Sequence, residues 1–569
     1  MAFLPEQMNL LRLLEDVSTD SDSIEDESEE ETHEPFELEY TETDTEQSGE
    51  SDVISDDECI PKKPKIEFLI GKDGTIWNRN QPAVFRSWPS NNSDCFPGVN
   101  IFAKHSKTAS ECWSLIFSDN LLKIIEDNTN FYIRKFSGKN LAKYTDLIEI
   151  KAFIGLLYLA GCHKNSRLNM KELFNRNGLG IERFWLTMSK DRFYFLLKTL
   201  QFDYFYTREN RIKIDTLAPV RQLLKLFVEN CQKCFNVSKY VTIDEKTEAF
   251  HEGYTSKYHK PKNPNKHGVK IFALVDAKTR YTLNLEVYKA NQPNGPSYAT
   301  DGKLSIITNL IEPISGTGRN ITCDNWFTSI SLIKTLLRDH GLTCVGSIRK
   351  YKGELPLELI NTKSRPSTSS VFGFQKDMTI VSYVPKTGKN VIVASSFHHD
   401  NTVDLSPEGK NVPEIIAFYN STKGSVNVVD DLCETYDVAR NTHRWPMMIF
   451  YALLNIAGIN SQILHTCNNG ETKQMARRSF LKELAISLTD KEIKRRGVLT
   501  NIVPEIKPVR QEVAEKHATV DQFPPGIRKK CFKCNINRKT RFFCDMCRRF
   551  ICLEHSQYLC SDCYTSTKE

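Results

Sequence analysis

Residues 239–349 contain three β-rich runs followed by alternating helical and β-rich segments, and this order is the strongest restriction on the fold. KYVTIDE, HGVKIFALVDA and RYTLNLEVYKA are rich in β-branched and aromatic residues, and short turns with Gly, Pro, Asn and Lys separate them. A helical pattern over about 300–312 follows, then the strand ITCD, a helix over 326–339 and the strand LTCVGSI. The order predicts one α/β core.

In an RNase H-like core the elements come in this order, and the first and fourth strands are neighbours. Asp244 ends the first strand and Asp324, in ITCDNWFTSI, ends the fourth. Both carboxylates should therefore meet at one edge of the sheet, where they suit two Mg²⁺ (or Mn²⁺) ions about 4 Å apart acting on a phosphodiester. A third carboxylate is needed, and Asp430 and Asp431 in KGSVNVVDDLCETYD are the candidates. The alternative is that Asp324 only caps the helix after it.

The rest of the chain divides around this core into a multidomain α/β protein. We predict helices over 109–127, 145–161, 181–201 and 216–236, with Cys231 and Cys234 as core cysteines of the last. The predicted parts are a disordered acidic N-terminus (1–65), a helical domain (80–238), the first part of the RNase H-like core (239–349), a β-rich insertion (350–420), the last core helix with a helical extension (421–500), a linker (501–526) and a cysteine-rich domain (527–569).

Charge is distributed very unevenly along the chain. Residues 1–60 contain 22 Asp and Glu against the single basic residue Arg12, whereas the remaining residues contain 75 Lys and Arg against 49 Asp and Glu. A body that basic favours a polyanionic partner, and nucleic acid is the first candidate. The basic cluster PKKPK at 61–65 is compatible with import into the nucleus. With neither a secretory signal nor about 18 consecutive apolar residues, we expect an intracellular chain without a membrane partner, whose cysteines are thiols or metal ligands.

Several ordered motifs make the chain similar to the piggyBac transposases from about residue 100 to the C-terminus. They are TIDE around Asp244, NITCDNWFTSI around Asp324, SRP at 364–366, YNSTKG-x-V leading into N-x-x-D, and NTHRWPM-x-x-x-Y-x-x-x-NIAGINS over 441–461. The resemblance implies cut-and-paste transposition: cleavage at the transposon terminal repeats of double-stranded DNA, hairpin formation and insertion at TTAA targets. It also implies that the helical domain serves dimerisation and DNA binding, with a homodimer on DNA.

Carried over by the resemblance, Asp244 and Asp324 are the first two catalytic carboxylates. The third position departs from the family. The family motif reads G-G-V-D-x-x-D, whereas this chain reads G-S-V-N-x-x-D, so Asn427 stands where the third Asp belongs and Asp430 matches the second acidic residue. An Asn carbonyl offers a divalent cation only a dipole where Asp offers a full charge. Asp430 could compensate as third ligand; otherwise the chain is a domesticated or decayed DNA-binding protein with impaired catalysis.

The C-terminal cysteine array predicts two tetrahedral Zn²⁺ sites. Eight ligands occur in four pairs of x-x spacing: Cys531 and Cys534, Cys544 and Cys547, Cys552 and His555, Cys560 and Cys563. A RING-like cross-brace, with the first and third pairs on one ion and the second and fourth on the other, is favoured over sequential pairing. The many Lys and Arg of this module suit DNA, and the family's corresponding domain binds transposon ends. A RING-type ubiquitin ligase domain is the alternative.

Overall fold

The structure is a computed structural model. It describes residues 68–81, 97–136, 143–163, 170–246, 269–289, 302–363, 365–405, 411–442, 444–470, 475–498, 529–534, 539–540, 542 and 550–555. The chain forms two compact units that divide between residues 493 and 494. The predicted acidic N-terminus (1–65) and linker (501–526) lie outside the described residues.

Helices dominate the described chain before the first strand of the core. They are α1 (Ala109–Ile116), α2 (Asp119–Phe136), α3 (Leu147–Cys162), α4 (Met170–Leu173), α5 (Glu182–Thr187), α6 (Lys190–Thr199), α7 (Arg208–Ile214) and α8 (Ala218–Cys234). The predicted helices 109–127 and 181–201 are wrong in extent, because each is two helices. Ser189 shows why the second divides: its hydroxyl accepts from the Arg192 N–H and so begins α6 as a new helix.

Strands and helices alternate through the rest of the described chain. The strands are β1 (Phe68–Ile70), β2 (Ile76–Asn78), β3 (Gly98–Val99), β4 (Phe235–Asn236), β5 (Tyr240–Lys246), β6 (Val269–Asp276), β7 (Thr282–Lys289), β8 (Asn320–Cys323), β9 (Thr343–Ser347), β10 (Ser370–Gln375), β11 (Met378–Lys386), β12 (Lys389–Ser395), β13 (Val403–Leu405), β14 (Asn411–Pro413), β15 (Lys529–Lys530) and β16 (Lys539–Thr540). The helices are α9 (Gly302–Ile311), α10 (Ile330–His340), α11 (Leu357–Ile360), α12 (Glu414–Lys423), α13 (Ser425–Thr435), α14 (Trp445–Asn469) and α15 (Arg477–Val498).

One mixed sheet of ten strands organises the larger unit, in the order β1-β2-β10-β11-β12-β9-β8-β5-β6-β7. β5, β6 and β7 form an antiparallel meander, and β8 runs parallel to both β5 and β9. The predicted order of three strands, helix, strand, helix and strand is confirmed. The first and fourth of these strands, β5 and β8, are direct neighbours, as the carboxylate argument requires.

The inserted strands β10, β11 and β12 continue the same sheet, because β12 pairs antiparallel with β9, whereas β13 and β14 form a separate two-stranded sheet. The predicted end of the β-rich insertion at residue 420 stays a prediction. The helix α12 begins before it, at Glu414, directly after Pro413, whose φ of −56° suits a helix entry. β1 and β2, which the sequence analysis did not predict, extend the sheet beyond β10. Their anchor is Trp77, which is fully buried and donates its indole N–H to the Glu354 carbonyl at 3.0 Å.

A continuous hydrophobic core joins the helices to the sheet, and α14 lies in its middle. Of the described helices, α14 alone is long and apolar enough to cross a membrane by length and composition, but 83% of its apolar window is buried inside the protein. The Tyr158 hydroxyl ties it to α3 by donating to the Leu454 carbonyl at 2.6 Å, and it accepts from the Trp113 indole at 2.9 Å. Cys231 and Cys234 are buried on α8, as predicted.

Candidate active site and metal centres

The register of β5 and β8 places Asp244 beside Asp324. The last parallel pair of the two strands is Ile243 with Cys323, and each aspartate is the next residue of its chain. Side chains alternate between the two faces of a strand, so both aspartates lie on the face that carries Thr242 of β5. The carboxylates predicted to meet at one edge of the sheet are therefore neighbours.

Hydrogen bonds from this face hold the end of α12 and the start of α13, the helix that carries the third acidic candidate, Asp430. Thr242 donates to the Thr422 carbonyl at 2.8 Å, and the hydroxyls of Thr322 and Thr422 lie 2.8 Å apart. The Ser425 hydroxyl also donates to the Thr422 carbonyl at 2.9 Å and accepts from Arg280 at 3.0 Å. The C-terminal end of α12 therefore contacts β5 and β8, and α13, which follows it directly, packs against β5 and β6.

Asp324 shapes the turn that follows β8. Its Oδ1 accepts from the N–H groups of Trp326 and Phe327 at 3.1 and 3.3 Å, and the Thr328 hydroxyl donates to its carbonyl at 2.6 Å. The alternative that Asp324 caps the following helix is wrong. α10 is capped by Ser329, whose side chain accepts from the Leu332 N–H.

An aromatic stack holds this turn against the sheet. The Trp326 ring lies parallel to that of Phe272 on β6, with centroids 5.1 Å apart, and Phe327 packs edge-on against both rings. Lys303 places its ammonium 4.5 Å from the Trp326 ring centroid and donates to the Trp326 carbonyl at 3.0 Å. The position of Asp324 is therefore fixed by contacts on both sides of the turn.

Asp244 and Asp324 lie in a largely buried region, where the ionised form of a carboxyl group is disfavoured. Burial raises the pKa of Asp244 to about 7, with the charges of Asp324 and Asp430 adding to the effect, while the Glu245 N–H partly opposes it. Burial also raises the pKa of Asp324, against the N–H groups of its turn and the Arg349 guanidinium, which lower it. Two carboxylates whose ionised forms are disfavoured by burial and mutual repulsion are stabilised when a divalent cation binds them. The donor set fits Mg²⁺ or Mn²⁺.

The residues of the third acidic position, unlike Asp244 and Asp324, do not all face the site. Asn427 is exposed on α13, and Asp431 is exposed as well. Asp430 turns toward the site, but its Oδ1 lies 3.4 Å from the Nζ of Lys246. Among the described residues, three or more His, Cys, Asp or Glu ligand atoms within 4.8 Å of one another occur only in the cysteine module, so the three aspartates do not close around one point.

Two residues beside the site were missed by the sequence analysis. Lys246 follows Asp244 by two positions in a strand, a spacing that puts both on one face and could have indicated it. Tyr419 of α12 donates to or accepts from the Ser347 hydroxyl at 3.0 Å, and burial raises its pKa to about 12, aided by the charges of Asp324 and Asp244. No periodicity in the sequence links Tyr419 to the strand ends.

The C-terminal unit brings together Cys531, Cys534 and Cys552, whose sulfur atoms lie within 4.8 Å of one another. The Sγ atoms of Cys534 and Cys552 are 3.5 Å apart, and the Cys552 N–H donates to the Cys531 Sγ. Burial raises the pKa of Cys531, but backbone N–H groups, first that of Cys552, outweigh it and leave that pKa below the ordinary thiol value. These thiols are compatible with Zn²⁺.

The cysteine cluster draws on the first and third predicted pairs, as a cross-brace requires and sequential pairing does not. Among the remaining predicted ligands, Cys544, Cys547, Cys560 and Cys563 lie outside the described residues, and so does the side chain of His555.

Comparisons with known proteins agree with this architecture. The family model described as Transposase IS4 matches residues 108–462. A piggyBac transposase, solved as a synaptic complex with hairpin DNA, is 30% identical to this chain, with a TM-score of 0.68. The similarity covers 82% of this chain and 99% of that one. The chain therefore belongs to the piggyBac transposase family.

Proposed function

We propose that this chain is a transposase-type protein that cuts and joins double-stranded DNA at the Asp244–Asp324 edge of an RNase H-like core. One observation carries the proposal: two carboxylates follow directly after the last paired residues of two parallel neighbouring strands. Asp430, on the helix fixed above them, completes the proposed set of catalytic residues.

In this reaction an oxygen of water or of a DNA 3′ hydroxyl attacks a phosphorus atom, and the bond from that phosphorus to the leaving oxygen breaks. A bound Mg²⁺ or Mn²⁺ supplies charge that favours the deprotonated attacking oxygen and stabilises the leaving one. Asp244 and Asp324 would hold the cation. The Trp326–Phe272 stack and the Thr328 hydrogen bond keep Asp324 in place during the step.

DNA as partner is supported by charge and by the relative. Residues 61–569 carry 26 more basic than acidic side chains, and this suits a polyanion. The similar transposase was solved with hairpin DNA. The proposal includes terminal repeats as the bound DNA, TTAA as target, a homodimer on DNA and the nucleus as location.

In the same proposal the domain ranges keep their predicted roles. The helices of 80–238 serve dimerisation and DNA binding, and the module of 527–569 binds two Zn²⁺ in a cross-brace and contacts transposon ends. The Cys531, Cys534 and Cys552 cluster supports the first of its two zinc sites.

A second candidate function is a sequence-specific DNA-binding protein with impaired catalysis. It is favoured by two observations at the third position: Asn427 is neutral and exposed, and Asp430 is ion-paired with Lys246. Both reduce the negative charge that the third position adds to that of Asp244 and Asp324 when a cation binds.

The test begins by selecting DNA from a random pool with the full zinc-loaded chain. The selected duplex, extended by TTAA, is then incubated with Mg²⁺ or Mn²⁺, and strand cleavage and hairpin products are resolved by gel. We expect metal-dependent cleavage that Asp244→Asn abolishes while DNA binding persists. Binding without cleavage would favour the second function, and absence of any selected DNA would contradict both.

Asn427→Asp separates the two functions further. If the neutral residue limits catalysis, restoring a charged ligand should raise the cleavage rate at least about tenfold, the size expected when one differential contact of about 1.4 kcal/mol is gained in the transition state. Asp431→Asn, one helix position from Asp430 and exposed, is the control. An unchanged rate in Asn427→Asp would show that this position is not limiting.

A further inference from the structure

Lys246 is a buried cation at the carboxylate site. It is the last residue of β5, two positions after Asp244, and therefore shares the face of the sheet on which both aspartates lie. Only 2% of the residue is exposed. Lysines are almost never buried to this extent unless paired, because removing an ammonium from water is costly.

Its charge is directed at Asp430. The Nζ of Lys246 lies 3.4 Å from Oδ1 of Asp430, whose side chain is 16% exposed. The intervening residue, Glu245, is used on the opposite face, where its carboxylate pairs with Lys270 at 2.8 Å. Alternation along β5 thus gives one acid–base pair on each face, and the buried pair is the one inside the proposed site.

The charges of the site then favour one divalent cation rather than two. Its three carboxylates and the Lys246 ammonium carry two negative charges in total when all are ionised, and a single divalent cation balances these. Asn427 adds none. The Arg349 guanidinium also acts on the site, where it lowers the pKa of Asp324, and its positive charge further disfavours a second divalent ion. The charge of Glu245, which raises the pKa of both aspartates, is offset by its pairing with Lys270.

We propose that the Lys246 ammonium takes the place of one of the two cations, engages Asp430, and leaves a single divalent ion on Asp244 and Asp324. This inference rests on the proposed function, since it concerns the same site. It assigns Lys246 as a positioning residue: it acts on the site through Asp430, and it balances the charge that a second ion would otherwise supply.

The test counts Mn²⁺ ions on the full zinc-loaded chain. Calorimetric titration gives the stoichiometry, and Mn²⁺ electron paramagnetic resonance distinguishes an isolated ion from two spin-coupled ions about 4 Å apart. The variants are Lys246→Gln, which removes the charge, Lys246→Arg, which keeps it, and Lys270→Gln, the matched control on the opposite face. Lys246→Met provides a second neutral variant should Lys246→Gln not fold.

We expect one Mn²⁺ with an uncoupled spectrum in the unaltered chain, in Lys246→Arg and in Lys270→Gln. A second, spin-coupled Mn²⁺ should appear in the neutral variants at position 246, with at least a tenfold gain in affinity for that ion. Two ions in the unaltered chain, or one ion in every variant, would overturn the inference and leave the proposed function standing. No Mn²⁺ in any of them would overturn both.

Discussion

Replacing Asp244 by Asn should stabilise the metal-free protein at neutral and alkaline pH. Burial and the neighbouring aspartates raise the pKa of Asp244 from 3.8 to about 7 in the folded chain. Between these two values the folded state holds a proton that the unfolded state has lost, so stability falls as pH rises through this interval. Below about pH 4 both states are protonated and the penalty vanishes.

The magnitude follows from the size of the shift. Each pKa unit corresponds to about 1.4 kcal/mol, so a rise of about three units gives on the order of 4 kcal/mol above pH 7, and a slope of about 1.4 kcal/mol per pH unit between pH 4 and pH 7. Asn has nearly the same shape and no charge to bury. The free energy of unfolding of Asp244→Asn should therefore exceed that of the unaltered chain increasingly from pH 5 to pH 8.

Urea unfolding with a Mg²⁺ and Mn²⁺ chelator that leaves the zinc in place, at pH 5, 6.5 and 8, measures this difference. Asp431→Asn is the control, because Asp431 is exposed on the same helix as Asp430 and its substitution should shift the unfolding midpoint little at any pH. A gain in Asp244→Asn that is the same at all three pH values would refute the electrostatic reasoning. A loss of stability would show that Asp244 contributes structural bonds that outweigh its charge.

Two further predictions concern packing and zinc. In Gly346→Ala the added Cβ would lie 2.2 Å from the Thr328 hydroxyl, so we expect the free energy of unfolding to fall by about 1–3 kcal/mol. Gly424→Ala is the control, because nothing lies within 4 Å of the new Cβ there, and its free energy of unfolding should not change. Equal losses in the two variants would contradict the packing argument. Cys552→Ser should reduce the zinc measured by mass spectrometry from two ions per chain to one, since Cys552 lies with two other thiols. Cys467→Ser, at an exposed cysteine, is the control, and retention of both ions in Cys552→Ser would show that Cys552 is not a zinc ligand.

Local patterns were sufficient for the order of the core strands β5 to β9 and for the two central aspartates. Alternating β-branched residues and helical spacing identify β5 to β9 in their order, and that order makes β5 and β8 neighbours. Asp244 and Asp324 could be predicted together because two neighbouring parallel strands place the residues that follow the pair Ile243 and Cys323 side by side. Helix extents were less predictable, since a single capping residue such as Ser189 divides a continuous apolar pattern.

Contacts between segments that are distant in the sequence could not be predicted from local patterns. β1 and β2 are three residues long, too short to show alternation, and β2 joins the sheet by pairing with the distant strand β10, Asn78 with Phe374. Tyr419 likewise approaches the site through the packing of α12 on the strands. Periodicity reports the face of an element on which a residue lies, but not which other element covers that face.

At the third acidic position, the sequence identifies the residues, but only the tertiary structure shows which charged group they meet. Reading the chain alone identifies Asn427 as a neutral residue and Asp430 as its acidic neighbour one helical turn on. Only the packing of α13 over β5 reveals that Asp430 meets Lys246, because that contact joins residues 184 positions apart. Charge in a buried site depends on which groups the fold brings within a few ångströms of one another, and this is a property of tertiary structure.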